Sequence, residues 1–267
     1  STTARSGSIT VGGQTFTVTQ AGVTLDPFIT RERGRADFNR DGHNDLVWQN
    51  ATTGQLAAWM LNGSTVKVEA GFTHSNPDLN WQVAGSGDFN GDGKPDLLWR
   101  DKLYGFVGVW FMNGLQCCLG VVSLSVPRVA DIAWKIAAVG DFNRDGHADI
   151  VWQHDTGPVV LWIMQRTRVV GSPTLKGDPG MSTNASWKVV GAADMNADGH
   201  TDLLWRHSDN GWLGTWMMKD TFVWGVYGLT PFNGGTDWRV VGTIDANRDG
   251  RYDIIWQHQD GRVAIWA

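Results

Sequence analysis

Asp37-Phe-Asn-Arg-Asp-Gly-His-Asn-Asp45 decides the fold, because a chain of 267 residues repeats it in five variant copies. The copies are DFNRDGHND (37–45), DFNGDGKPD (88–96), DFNRDGHAD (141–149), DMNADGHTD (194–202) and DANRDGRYD (245–253), and they begin 51, 53, 53 and 51 residues apart. Oxygen-bearing side chains occupy the first, third, fifth and ninth positions, and glycine the sixth. A hard cation asks for this pattern, since alternate residues of a tight loop point inward and glycine permits the turn. The ligand candidates are Asp37, Asn39, Asp41 and Asp45; Asp88, Asn90, Asp92 and Asp96; Asp141, Asn143, Asp145 and Asp149; Asp194, Asn196, Asp198 and Asp202; and Asp245, Asn247, Asp249 and Asp253. The seventh residues His43, Lys94, His147, His200 and Arg251 would add a main-chain carbonyl, which leaves their side chains free to vary. The reading predicts one calcium ion per loop.

An EF-hand closes its loop with a bidentate Glu at the twelfth position. Here that position holds Trp48, Trp99, Trp152, Trp205 and Trp256. The flanking runs LVWQ, LLWR, IVWQ, LLWR and IIWQ are β-branched and aromatic, as strands are. The loops therefore precede strands, and the ninth-position Asp is expected to close the cage.

A period near 52 residues with several strands per unit predicts an all-β propeller of five four-stranded blades. In the second repeat the expected strands are 81–89, 96–101, 105–112 and 116–124. The fifth repeat ends at its third strand, GRVAIWA (261–267), which would leave an open sheet edge. The segment QTFTVTQAGVTL (14–25) is expected to supply the missing outer strand and close the ring. Residues 1–13 are then a tail, 14–267 the propeller, and the ring a monomer.

The formal net charge is −5, but fifteen of the 27 acidic residues lie in the loops, so bound divalent cations would reverse the sign. No Lys/Arg run suggests nucleic acid, and no apolar run approaches the ~18–20 residues of a membrane span. The two cysteines, Cys117 and Cys118, are adjacent. Neighbouring Cα atoms are about 3.8 Å apart, below the usual disulfide range. Ordinary thiols on opposite sides of a strand and a strained vicinal bridge both remain open. Repeated calcium sites suit an extracellular setting, so a secreted or cell-surface location is expected.

DFNGDGKPDLLWR and DFNRDGHADIVWQ resemble FG-GAP/VCBS-type repeats, the calcium-loop blades of integrin α-chain propellers and of many bacterial secreted proteins. The resemblance covers residues 30–267 and implies calcium on the loop residues named above. ARSGSITVGGQTFTVTQAG (4–22) resembles the last strands of a BACON domain, which implies a larger multidomain parent.

Fourteen of the sixteen tryptophans fall on three repeated positions. The post-loop set is given above, and a strand-three set comprises Trp59, Trp110, Trp162, Trp216 and Trp266. Both are expected to pack between blades. A strand-one set, Trp81, Trp134, Trp187 and Trp238, has Thr30 in its place in the first repeat. Near a blade end, these indoles could pack or could stack on sugars, with Arg100, Arg206, His154, His207 and His258 as polar partners. No nucleophile elbow, zinc motif or phosphate loop is present. The expectation is a non-catalytic module binding glycans at repeated inter-blade sites. A protein-adhesion module is the alternative, and an enzyme with a site in the central channel the third reading.

Overall fold

A computed structural model describes residues 5–11, 14–20, 30–62, 65–74, 76, 78–117, 122–177, 184–229, 237–246 and 249–266. Two strands, β1 (Arg5–Val11) and β2 (Gln14–Gln20), open the chain. Blade 1 holds β3 (Thr30–Ala36), β4 (Asp45–Asn50), β5 (Leu56–Asn62) and β6 (Thr65–Gly71). Blade 2 holds β7 (Trp81–Gly87), β8 (Asp96–Asp101), β9 (Phe106–Trp110) and, after the small hairpin β10 (Met112–Asn113) and β11 (Gln116–Cys117), β12 (Val122–Arg128). Blade 3 holds β13 (Trp134–Gly140), β14 (Asp149–His154), β15 (Val159–Gln165) and β16 (Arg168–Gly171). Blade 4 holds β17 (Trp187–Ala193), β18 (Asp202–His207), β19 (Leu213–Lys219) and β20 (Phe222–Leu229). Blade 5 holds β21 (Trp238–Ile244), β22 (Asp253–His258) and β23 (Val263–Trp266).

All pairings between consecutive strands are antiparallel, and the first strands of the blades touch in the cyclic order β3, β7, β13, β17, β21 and back to β3. The molecule is therefore a closed five-bladed propeller with its first strands around the axis. β2 pairs with β23 through Val18 and Ala264 and completes the last blade. β1 then lines up beside β2 from Arg5 opposite Gln20 to Val11 opposite Gln14, as a fifth strand where a tail was expected. Residues 21–25, also expected in the closing strand, lie outside the described residues.

The outer strand of blade 2 differs from the expected 116–124. Asn113-Gly114 turns the chain at once, with Gly114 at φ +64°, so Gln116 and Cys117 pair back on Met112 and Asn113. Beside β9, the described strand runs from Val122, and residues 118–121 of the expected strand lie outside the described residues. Pro127, which lacks an N–H, sits on this outermost strand, where no ladder bond is lost.

Five blades leave little room at the axis, and the first strands meet the constraint in two ways. Each carries a register shift at the same place, after Glu32, Val83, Ile136, Val189 and Val240. The extra residue, Ala84, Ala137, Val190 or Val241 in blades 2 to 5, faces a central channel of about 360 Å³. Glycines then allow close approach of adjacent blades. A Cβ on Gly85 would stand 2.6 Å from Val139, and one on Gly140 2.8 Å from Thr201.

The cores lie between blades rather than within them. Val47, Met60, Leu97 and Trp99 bridge blades 1 and 2, and Leu46, Trp59, Ile244 and Ile255 bridge blades 5 and 1. Post-loop and strand-three indoles pair inside every blade, from 4.4 Å for Trp205 and Trp216 to 6.5 Å for Trp256 and Trp266. Both sets thus pack, as expected. Among the described residues no helix is long and apolar enough to cross a membrane.

The axial constraint is measurable. Gly85→Ala should cost about 1–3 kcal/mol in urea unfolding, because its methyl overpacks Val139. Gly71→Ala, with open space around the new methyl, should be neutral or slightly stabilising through the unfolded chain. Equal midpoints for the two variants would refute tight axial packing.

Candidate metal loops and tryptophan face

Each acidic loop joins the first strand of a blade to the second and folds by local bonds. The first carboxylate caps the turn: Asp37 accepts the N–H groups of Asp41 and Gly42 at 3.1 and 2.8 Å, and Asp88, Asp141, Asp194 and Asp245 do the same. The third-position amide oxygens of Asn39, Asn90, Asn143 and Asn196 accept the fifth residue's N–H at 2.8–3.1 Å. Asn247 lies outside the described residues. Asp41, Asp92, Asp145, Asp198 and Asp249 accept the N–H of the seventh residue. The sixth glycines have φ of 75–86°. Gly93, Gly146 and Gly199 have open space where a Cβ would stand, so backbone conformation rather than room selects glycine.

The ninth residue does more than the sequence suggested. Asp149 is fully buried, and its two oxygens accept the N–H of Phe142 at 2.9 Å and of Met164 at 2.8 Å. Asp45, Asp96 and Asp202 staple loop to third strand in the same way, through Leu61, Met112 and Met218. Asp253 accepts the N–H of Ala246. Burial pushes Asp149 up to about 7 and Asp45, Asp96 and Asp202 up to about 6, against the lowering effect of these bonds. The first and fifth carboxylates of the same loop raise them further, so three acidic groups feel one another in each of these four loops.

Among the described residues no three His, Cys, Asp or Glu side chains form a complete cluster of metal ligands. The donor set is instead hard oxygen, part carboxylate and part amide, with many oxygens already accepting one N–H. A carboxylate has about four lone-pair sites, so such oxygens can still ligate, and the set fits a hard cation in chemistry and in charge.

Neighbouring loops are also linked. The main-chain carbonyl of Asp88 accepts the N–H of Ala148 at 2.8 Å, that of Asp141 the hydroxyl of Thr201 at 2.8 Å, and His147 reaches the carbonyl of Phe89 at 3.2 Å. His200 stands 3.4 Å from Asp220, and Lys94 3.9 Å from Asp92.

The opposite face carries the strand-one tryptophans. Trp81, Trp134, Trp187 and Trp238 are half-buried. Trp134, Trp187 and Trp238 lie 5.0–5.2 Å from the cross-strand rings of His154, His207 and His258. These histidines have a local task as well. Nδ1 of each accepts an N–H two residues on, from Thr156, Asp209 and Asp260. Asn50 and Asp101 cap the equivalent turns through Thr52 and Leu103. Any side chain with an acceptor at this reach can close the turn, which explains Asn, Asp and His at one repeat position. The side chain of Thr30 is outside the described set.

Arg100 sits beneath the surface rather than on the rim. It donates to the carbonyls of Gly105, Val129 and Trp134 at 3.0–3.3 Å and stacks over Trp152 at 4.8 Å, with burial lowering its pKa. Gln49 and Gln153 hold the same place. Gln49 donates to the carbonyl of Trp81 at 3.1 Å and accepts the N–H of Val83 at 3.0 Å, and Gln153 repeats this on Trp187 and Val189. Arg206 stacks over Trp256 at 5.3 Å. The residue after the post-loop Trp is thus a clasp onto the next blade in blades 1 to 4, whereas Gln257 accepts from Arg239 of its own blade. Its recurrence every 51–53 residues was visible in sequence, but its target lay across a blade boundary.

A cavity of about 380 Å³ opens between blades 2 and 3, lined by Gln82, Val83, Ala84, Arg100, Lys102, Ile132, Lys135 and Ile136.

The FG-GAP-like repeat family matches residues 37–99 and 141–205. No curated protein matches the chain in sequence. Among solved structures, the major allergen Mala s 1 of Malassezia sympodialis is similar, with TM-score 0.51, 9% identity, and coverage of 95% of this chain and 83% of the allergen. A glucose dehydrogenase is similar with TM-score 0.52, 9% identity, and coverage of 90% and 97%. At these identities the likeness is one of fold.

The staple can be tested alone. Asp149→Ala should cost about 3–5 kcal/mol, since it strands two buried N–H groups at roughly 1–3 kcal/mol each. Asp155→Ala, on an exposed turn, should change the urea midpoint little. Comparable losses in both would reject the stapling role.

Proposed function

Residues 37–99 and 141–205 match FG-GAP-like repeats, and we propose that the protein is a secreted or cell-surface, calcium-stabilised, non-catalytic binding module for glycans. FG-GAP propellers suggest a binding or structural module in general. The observation that carries the finer reading is the cavity between blades 2 and 3, on the face that bears the half-buried indoles. It has the size of a small-molecule site (about 300–1,000 Å³) and joins apolar walls to a few polar groups.

Two features support calcium. In four loops the ninth Asp feels the first and fifth carboxylates of its own loop, and its burial raises the cost of leaving its charge uncompensated. A bound cation would supply that compensation. Two acids outside the loops are engaged in turns. Asp101 accepts N–H groups of Leu103 and Tyr104, and Asp131 accepts that of Ala133 and lies 3.3 Å from His154. This supports the non-catalytic reading.

One observation favours protein adhesion as a second reading. Phe222, Trp224, Val226 and Tyr227 are 43–50% exposed on the outer strand of blade 4. Trp212, at the start of β19, is 62% exposed. No other blade carries tryptophans at these positions.

Chelation should lower the melting temperature by more than about ten degrees, as loss of several kcal/mol implies for a domain of this size. An unchanged melt in excess chelator rejects calcium. A glycan array in calcium buffer tests the ligand class: sugar hits support the reading, and silence with retained protein pull-down favours adhesion. Trp187→Ala should stay folded, because the indole is only partly buried and packs at the margin of its core. If the strand-one indoles are platforms, it should also lose one binding site, and full stoichiometry in the folded variant would exclude them.

A further inference from the structure

The five junctions on the tryptophan face share one backbone plan but not one charge. In the repeat, the residue three positions after a post-loop Trp corresponds at each junction to the residue that follows the next blade's strand-one position. The pairs are Ala51 with Gln82, Lys102 with Lys135, Asp155 with Lys188, Ser208 with Arg239, and Gln259 with Arg31. At the junction of blades 3 and 4 the pair satisfies itself, since Nζ of Lys188 donates to the carbonyl of Asp155 at 2.9 Å. Only the junction of blades 2 and 3 sets two lysines together, and this is where the cavity lies.

The residues lining that cavity include three cations and no carboxylate. Three acids stand close by without entering the lining, and they offset part of its charge. Asp101 is buried and bonded to its own turn, and Asp131 is bonded to Ala133 and close to His154. Asp155 stands 3.8 Å from Lys135, an exposed pair that water screens. Lys135 is held over the opening by the carbonyl of Ile132. Arg100 forms the floor. Its carbonyl bonds take three of its five donors, and its charge, partly offset by Asp101 and Asp131, meets no carboxylate in the lining. Val83, Ile132 and Ile136 provide an apolar wall beside the amide of Gln82.

We propose that this junction binds an acidic sugar, a pyranose carrying one carboxylate. The ring's C–H face meets the wall of Val83, Ile132 and Ile136, a hydroxyl meets Gln82, and the carboxylate meets Lys102 and Lys135. The inference rests on the reading of this face as a glycan surface and adds that one junction is selective for charge.

The experiment is a calorimetric titration of the full chain with a uronate disaccharide and with its neutral parent, at one fixed calcium concentration. The uronate should bind more tightly than the neutral sugar, and the preference should shrink as salt is raised. Lys102→Glu and Lys135→Glu should each weaken uronate binding by about tenfold or more, as expected for a charge-assisted contact. Lys188→Glu, at the neighbouring junction, should leave binding unchanged. Melting temperatures of the three variants confirm that they are folded. Equal binding of the two sugars, or indifference to both lysine changes, overturns the acidic-sugar proposal and leaves the general glycan reading standing. Failure of both sugars to bind overturns the two together.

Discussion

A buried carboxylate bonded to two main-chain N–H groups is the joint on which each blade turns. The ninth loop Asp accepts one bond from the loop's second residue and one from the third strand, about 16 residues on. It therefore holds the loop, the second strand and the third strand in one geometry. Without it two buried donors per blade would lack partners, a loss of roughly 1–3 kcal/mol each. The same carboxylate sits beside two others in its loop. Stapling and cation binding are thus linked: the charge that makes a strong acceptor also makes an unfavourable neighbour unless a cation offsets it.

The second constraint is between blades. A propeller blade cannot bury its faces alone, so each core is shared with a neighbour, and the ring is stable only when the last pair closes. Here the polar clasps add direction to that apolar packing. Gln49 and Gln153 present an amide to a main-chain N–H and C=O of the next first strand, much as an additional strand residue would. Arg100 replaces the amide with a guanidinium and stacks on the next blade's indole. Rotation of one blade against the next would break these bonds while leaving apolar contact partly intact. The clasps therefore set blade angle more than they set total stability.

Much of this was legible in the sequence because it is local. The five loops, the strands after them and the buried indole pairs follow from short motifs whose partners lie within a few residues or one hairpin. The closing role of β2 followed from the incomplete fifth repeat. What was not legible depends on pairing across distance. Gln49 reaches residues 32 and 34 positions away, and nothing near it in sequence announces the target. The outer strand of blade 2 was misplaced because LQCCLG reads as strand whichever partner it takes, and the Asn113-Gly114 turn folded it back locally. The histidine trio suggested a pocket, whereas its shared task is to cap a turn, which Asn50 and Asp101 perform equally well.

Function in such a ring must come from departures from the repeat, since whatever recurs in all five blades is needed to build them. The ninth Asp, the sixth Gly, the indole pair and the capped turn recur and are accounted for by folding. The residues that differ are those free of that duty. They include the two lysines facing each other between blades 2 and 3, the two additional tryptophans of blade 4, and Thr30 where other blades have tryptophan. The first of these coincides with a cavity and the second with an exposed aromatic edge. These are two different surfaces on one scaffold. A small acidic ligand suits the concave one, because its lining holds three cations and no carboxylate, with only the exposed Asp155 in ion-pair range of Lys135. The edge of β20 suits a broader partner, because its aromatic residues lie along an outermost strand rather than around a cavity. Charge decides one surface and apolar area the other, so a ligand for either site should not compete for the other.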